Sequence, residues 1–150
     1  MRPMRLPLIL LLLSGAAALA DDQSDRQKLL GSWEQQSPVE NILATSWTFS
    51  ATGNSMRIKE LEGGSKVADF ASGTDGTPCE IQTGGKRAMV SLWFNGPRLV
   101  EMETKGSDVK RRFKILPVSG IIEMEVIPIV PGGKTETFGF KRAQLASRYE

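Results

Sequence analysis

Leu30-Gly31-Ser32-Trp33 and Phe138-Gly139-Phe140-Lys141-Arg142 are the two stretches that decide the fold. In the second, Phe138, Phe140 and Arg142 alternate with Gly139 and Lys141, the period of a strand with one buried face. Read at that period, Arg142 points the same way as the two phenylalanines, into the barrel. The opening Trp33 and the closing Arg142 make sense together if the first and last strands lie side by side, and a sheet whose ends meet is a closed barrel.

Between these stretches, glycine and turn residues recur about every eight to twelve positions, and no run longer than about ten residues keeps helical spacing. Strands are predicted at 31–36, 45–51, 55–61, 66–72, 78–83, 87–94, 98–104, 109–117, 121–130 and 134–142. The polar lead-in from Asp21 to Lys28 suits a short helical turn before Leu29-Leu30. Pro38 to Ala44 is the longest irregular connection after the first strand. The pattern predicts an all-β, antiparallel up-and-down β-barrel of roughly 8–10 strands, in one domain over residues 21–150.

Charge and apolar rows register the last four strands. A loop at Lys105-Gly106-Ser107-Asp108 sets Glu103 against Lys110, Glu101 against Arg112 and Val100 against Phe113. A turn at Ser119-Gly120 sets Lys114 against Glu125, Ile115 against Met124 and Phe113 against Val126. A tip at Pro131-Gly132-Gly133 sets Val126 against Phe138, Met124 against Phe140 and Ile122 against Arg142. Opposite charges then share the outer face and large apolar residues the inner one, so Glu101, Glu103, Glu123 and Glu125 face solvent.

Two polar residues, Arg111 and Glu136, point inward at the end carrying the 105–108 and 131–133 loops, which is the predicted mouth. They form a rim ion pair or orient the polar end of a guest. The expected lining below them is Met102, Phe113, Met124, Val126, Phe138 and Phe140. On this reading, replacing Arg111 by alanine leaves folding nearly intact. Trp93 and Phe94 take opposite faces of their strand, so one of them looks outward.

Composition narrows the function. Arg2 and Arg5, the apolar run Leu6 to Leu13 and Ala18-Leu19-Ala20 have the form of a cleavable signal peptide, with cleavage after Ala20. The run is too short for a permanent membrane span. Ala16 follows Leu13-Ser14-Gly15 where a lipid anchor requires cysteine. A periplasmic or secreted protein without a stable membrane anchor is expected. Removing two arginines from 19 basic residues balances the 17 acidic ones, so nucleic acid is not an expected partner. Cys79 stands alone and forms no disulfide within the chain. The absence of histidine excludes the common catalytic triads and most nitrogen-ligated metal sites. No phosphate loop, nucleophile elbow, paired-cysteine or calcium-loop spacing occurs. No enzyme activity, cofactor or metal is expected.

Leu30-Gly31-Ser32-Trp33 resembles the G-x-W opening motif of lipocalins and lipocalin-like bacterial domains. The resemblance implies a tryptophan at the closed barrel end, with a late basic residue packed over its ring. Gly31, Trp33 and Arg142 hold the matching positions as the barrel closure. The chain is shorter than a typical lipocalin, no helix-forming stretch follows the last strand, and the family's middle motif has no place in it. A smaller calycin, either a ten-stranded fatty-acid-binding type or an avidin-like barrel, also fits; Gly53-Asn54-Ser55-Met56-Arg57-Ile58 is similar to avidin sequences, without their aromatic biotin pattern. The implied function is non-covalent carriage of a small hydrophobic or amphipathic molecule. The alternative is a solid barrel that acts on a protein partner through its loops.

Overall fold

Ten strands follow one another around a closed antiparallel barrel: β1 (Gly31–Gln35), β2 (Thr45–Thr52), β3 (Ser55–Glu62), β4 (Ser65–Gly73), β5 (Cys79–Thr83), β6 (Lys86–Asn95), β7 (Arg98–Thr104), β8 (Val109–Ile115), β9 (Ile122–Pro128) and β10 (Glu136–Arg142). Each pairs with its neighbour in sequence, and β1 closes the ring against β10. This computed structural model describes residues 24, 26–36, 45–105, 108–115 and 120–143. The signal segment, its cleavage point and the connection from Pro38 to Ala44 lie outside the described residues.

Alternation builds the wall. Trp47 and Phe49 on β2, Met56 and Ile58 on β3, Val90 and Leu92 on β6, and Phe113 on β8 are buried, while their strand neighbours are more open. Two-residue glycine turns such as Gly63-Gly64 and Gly84-Gly85 join the strands with positive φ, as tight hairpins require. Phe94 shares the inward parity of Val90 and Leu92. Trp93 looks outward, opposite Val100 and with the Lys110 ammonium 5.8 Å from its ring.

The closed end is built from both chain-end motifs. A helical turn at Arg26–Lys28 delivers Leu29, which is fully buried under the barrel. Trp33 sits directly across from Arg142 in the β1–β10 register, and the guanidinium lies 4.4 Å from the ring centroid. Arg142 also donates to the carbonyls of Leu30 and Lys28 at 2.9 and 2.7 Å, and the Trp33 indole donates to Leu29 O at 2.8 Å. Gly31 makes room for this: its φ is +120°, and a Cβ there would stand 2.7 Å from Arg142 Nη1.

Two registers differ in size of shift and one differs in kind. β8–β9 and β9–β10 are each displaced by two residues from the expected pairing, to Phe113 opposite Met124 and Phe138 opposite Met124. Faces survive a two-residue shift. The charge pairs become Arg112 with Glu125 and Lys114 opposite Glu123. β7–β8 is displaced by one, to Leu99 opposite Phe113, Val100 opposite Arg112 and Glu101 opposite Arg111. That odd shift turns β7 over. Glu101 and Glu103 face the interior instead of solvent, and Met102 is on the outer face rather than in the lining. The cause lies at the hairpin: the β7–β8 ladder ends at Glu103 opposite Val109, and Thr104 pairs with Met89 of β6 instead. Lys105 and Asp108 take positive φ, and Lys105 N–H donates to Asp108 Oδ1 at 3.1 Å.

Candidate functional site

The interior divides into two storeys. Below, Trp33, Trp47, Phe49, Phe113, Ile122 and Phe140 leave no water-sized space between them. Phe113 reaches across the barrel to Trp47 and Phe49, with ring centroids 5.0 and 5.1 Å apart in tilted and edge-on arrangements. Such contacts contribute about 0.5–1.5 kcal/mol each beyond the burial of the rings. This storey is core.

Above it a cavity of about 270 Å³ opens toward the mouth. Met124, Val126, Phe138 and Phe140 from β9 and β10 give it an apolar wall, and Glu136 stands at its rim. Trp47, Glu60 and Arg111 close the other side. A second hollow of about 360 Å³ shares Glu60 and Arg111 and extends past Glu103 to Val67, Thr83 and Gly84. A wider cleft, about 770 Å³, lies against the outside of the closed end, between Asn54, Asp75 and Phe94. It is a surface hollow beside the Arg26 guanidinium, which stacks 4.5 Å from the Phe94 ring, and it contains none of the inward charges.

Arg111 is committed to β7. Its Nη1 donates to Glu101 Oε1 at 2.9 Å and to Glu103 Oε2 at 3.2 Å, and its guanidinium carbon lies 5.8 Å from the Trp47 ring centroid. The expected Arg111–Glu136 pair is therefore replaced by Arg111 with Glu101 and Glu103. The one-residue turn of β7 puts these two carboxylates inside, where an arginine must meet them. Burial works against the Arg111 charge, but Glu101, Glu60 and Glu103 together raise its pKa. Glu101, 2% exposed, has its pKa raised by burial above all, with Glu103 adding and Arg111 opposing. Glu60 is pushed up to about 7: burial is the largest cause, Arg111 opposes it, and Glu101, Glu103 and Glu62 add to it.

Four buried polar atoms find no hydrogen-bond partner among the described residues: Glu101 Oε2, the indole nitrogen of Trp47, and Arg112 Nε and Glu125 Oε2, the last two in residues that form an ion pair with each other. Among the described residues no cluster of carboxylates, cysteine or histidine is arranged to hold a metal ion, and no helix is long and apolar enough to cross a membrane.

Of the lining expected from sequence, Arg111, Met124, Val126, Glu136, Phe138 and Phe140 meet at the upper cavity. Phe113 lies below it in the packed storey, and Met102 lies outside. Sequence reasoning missed Glu60, Glu101 and Glu103. Glu60 was detectable, since it continues the inward alternation of Met56 and Ile58.

No family model matches the chain, and no curated protein matches it. Solved structures do. A protein described as the REP1-NXSQ fatty acid transporter superposes with a TM-score of 0.64 at 16% identity, covering 79% of this chain and 98% of that one. A Schistosoma mansoni fatty acid binding protein, in complex with arachidonic acid, gives 0.65 at 13% identity over 80% and 99% of the two chains. The fluorescent protein UnaG gives 0.63 at 15% identity over 78% and 98%. At these identities the likeness is one of fold. The ten strands of this chain's own closed barrel settle the number left open by the sequence, and the chain shares the fold of these structures.

Proposed function

We propose that the protein is a non-enzymatic carrier that holds a small amphipathic molecule in the upper storey of its barrel. The apolar tail lies against Met124, Val126, Phe138 and Phe140, and the polar end meets the charged wall at Glu60 and Arg111. One observation carries this reading: a cavity of about 270 Å³ reaches the level of Arg111 above a floor with no space left in it. A solid barrel has no use for such an arrangement, and an apolar wall opposite a few fixed polar groups is the usual form of a small-molecule site. The structural neighbours named for fatty acid transport or binding support the same reading.

The signal-like segment makes export part of the proposal, with the carrier acting outside the cytoplasm. Native mass spectrometry of the protein recovered from its own host tests carriage directly. A population heavier than the bare chain, converting to the bare mass on harder activation, is the expected result. A bare mass together with no uptake of decanol by the purified protein would overturn it.

A further inference from the structure

A carboxylate head group calls for a spare positive charge, and among the described residues Arg111 is the one cation that lines the upper cavity. Arg111, the guanidinium at the centre of the upper storey, is already held by two carboxylates. The two hollows share Glu60 and Arg111; around them stand Glu60, Glu62, Glu103 and Glu136, against Arg111 and Lys86, with Glu101 held on Arg111. An anion placed there meets more negative than positive charge in a partly desolvated space, where the repulsion is weakly screened. A cation meets the reverse.

Resting on the carriage reading above, we infer that the head group this barrel selects is a cationic amine, seated between the carboxylate wall of Glu60 and the Trp47 ring. Two observations converge on it. Glu60 and Glu136 line the cavity, while the guanidinium that shares it is already spent on Glu101 and Glu103. The ring of Trp47 borders the same cavity and already has the Arg111 guanidinium beside it at 5.8 Å; an aromatic face suits an ammonium and repels a carboxylate. Among the described residues the carboxylates do not gather as a metal site does. The apolar wall of β9 and β10 then takes the alkyl tail.

Titration calorimetry of the full chain with decylamine, decanoate and decanol, at neutral pH and below their micelle thresholds, separates head from tail. Decylamine is expected to bind at least about tenfold more tightly than decanoate, with decanol between them. Glu60→Gln is expected to lower the decylamine affinity more than the decanol affinity, which loss of cavity shape alone would not do. Decanoate binding as tightly as decylamine, or equal affinity for all three, overturns the head-group assignment while leaving carriage standing. Binding of none of the three removes carriage itself and this inference with it.

Discussion

At the residue scale, Gly31 and Arg142 form one unit. The glycine is required twice, for a φ of +120° and for the 2.7 Å that separates its missing Cβ from the guanidinium. Arg142→Ala should destabilise the barrel by about 0.5–2 kcal/mol through loss of the Trp33 contact. Gly31→Ala should cost about 1–3 kcal/mol from backbone strain, plus the clash. In the Arg142→Ala background the clash is gone, so Gly31→Ala should cost less there than in the parent. Urea titrations of the four proteins check this, and strictly additive losses would count against the contact. Glu60 gives a second residue-scale prediction. Its pKa is about 7 in the fold against 4.5 when free. Between those values the folded chain holds a proton that the unfolded chain has released, so stability falls as pH rises through that window. Glu60→Gln should match the parent near about pH 4 and exceed it near about pH 8, by at most about 3 kcal/mol. Thermal melts across pH measure the difference; parallel profiles would remove the assigned shift.

At the scale of elements, β7 carries the lesson. Strand positions and inward faces were legible wherever apolar residues alternate with polar ones, as in Trp47-Thr48-Phe49 and Phe138-Gly139-Phe140. Arg142 was legible because its parity depends only on its neighbours in the same strand. β7 offers two acceptable faces, Leu99-Glu101-Glu103 and Val100-Met102, and the apolar reading of the second is the wrong one. What decides between them is the length of the β7–β8 loop and a long-range ion pair, and neither is written in local alternation. The consequence is measurable. Arg111→Ala leaves Glu101 and Glu103 inside without their guanidinium, so it should cost about 3–5 kcal/mol in a urea titration, not the near-zero loss expected of a rim residue. β4 and β5 form the other unusual pair. They register at Ala68 and Thr83 alone, whereas β6 and β7 register along their length. Hydrogen exchange should therefore be faster on the facing edges of 69–72 and 80–82 than on β6 and β7.

At the scale of the whole molecule, closure and cavity have separate origins. The floor gathers five aromatic residues, and two of them, Trp33 and Phe140, were readable from the two chain-end motifs. The upper storey exists because β3, β7 and β8 contribute charged side chains where a solid core would place apolar ones. Those charges make the mouth end costly to fold, since buried ion pairs repay their desolvation poorly. Truncating the wall should show the division of labour. Phe138→Ala, at the cavity, should weaken decanol binding severalfold with a modest loss of stability. Phe113→Ala, in the packed storey, should cost about 3–5 kcal/mol. Equal destabilisation by the two would argue that the storeys are one core.

The β4–β5 gap is stitched at both ends. Toward the mouth, Gly84 N–H bonds to Val67 O at 2.9 Å; toward the floor, the connection past Gly73 skips β5 and bonds to β6, with Gly76 N–H to Leu92 O at 2.8 Å. A slit bound off in this way behaves like a buttonhole. Its edges are fastened at either hem, so parting them in the middle does not unzip the barrel.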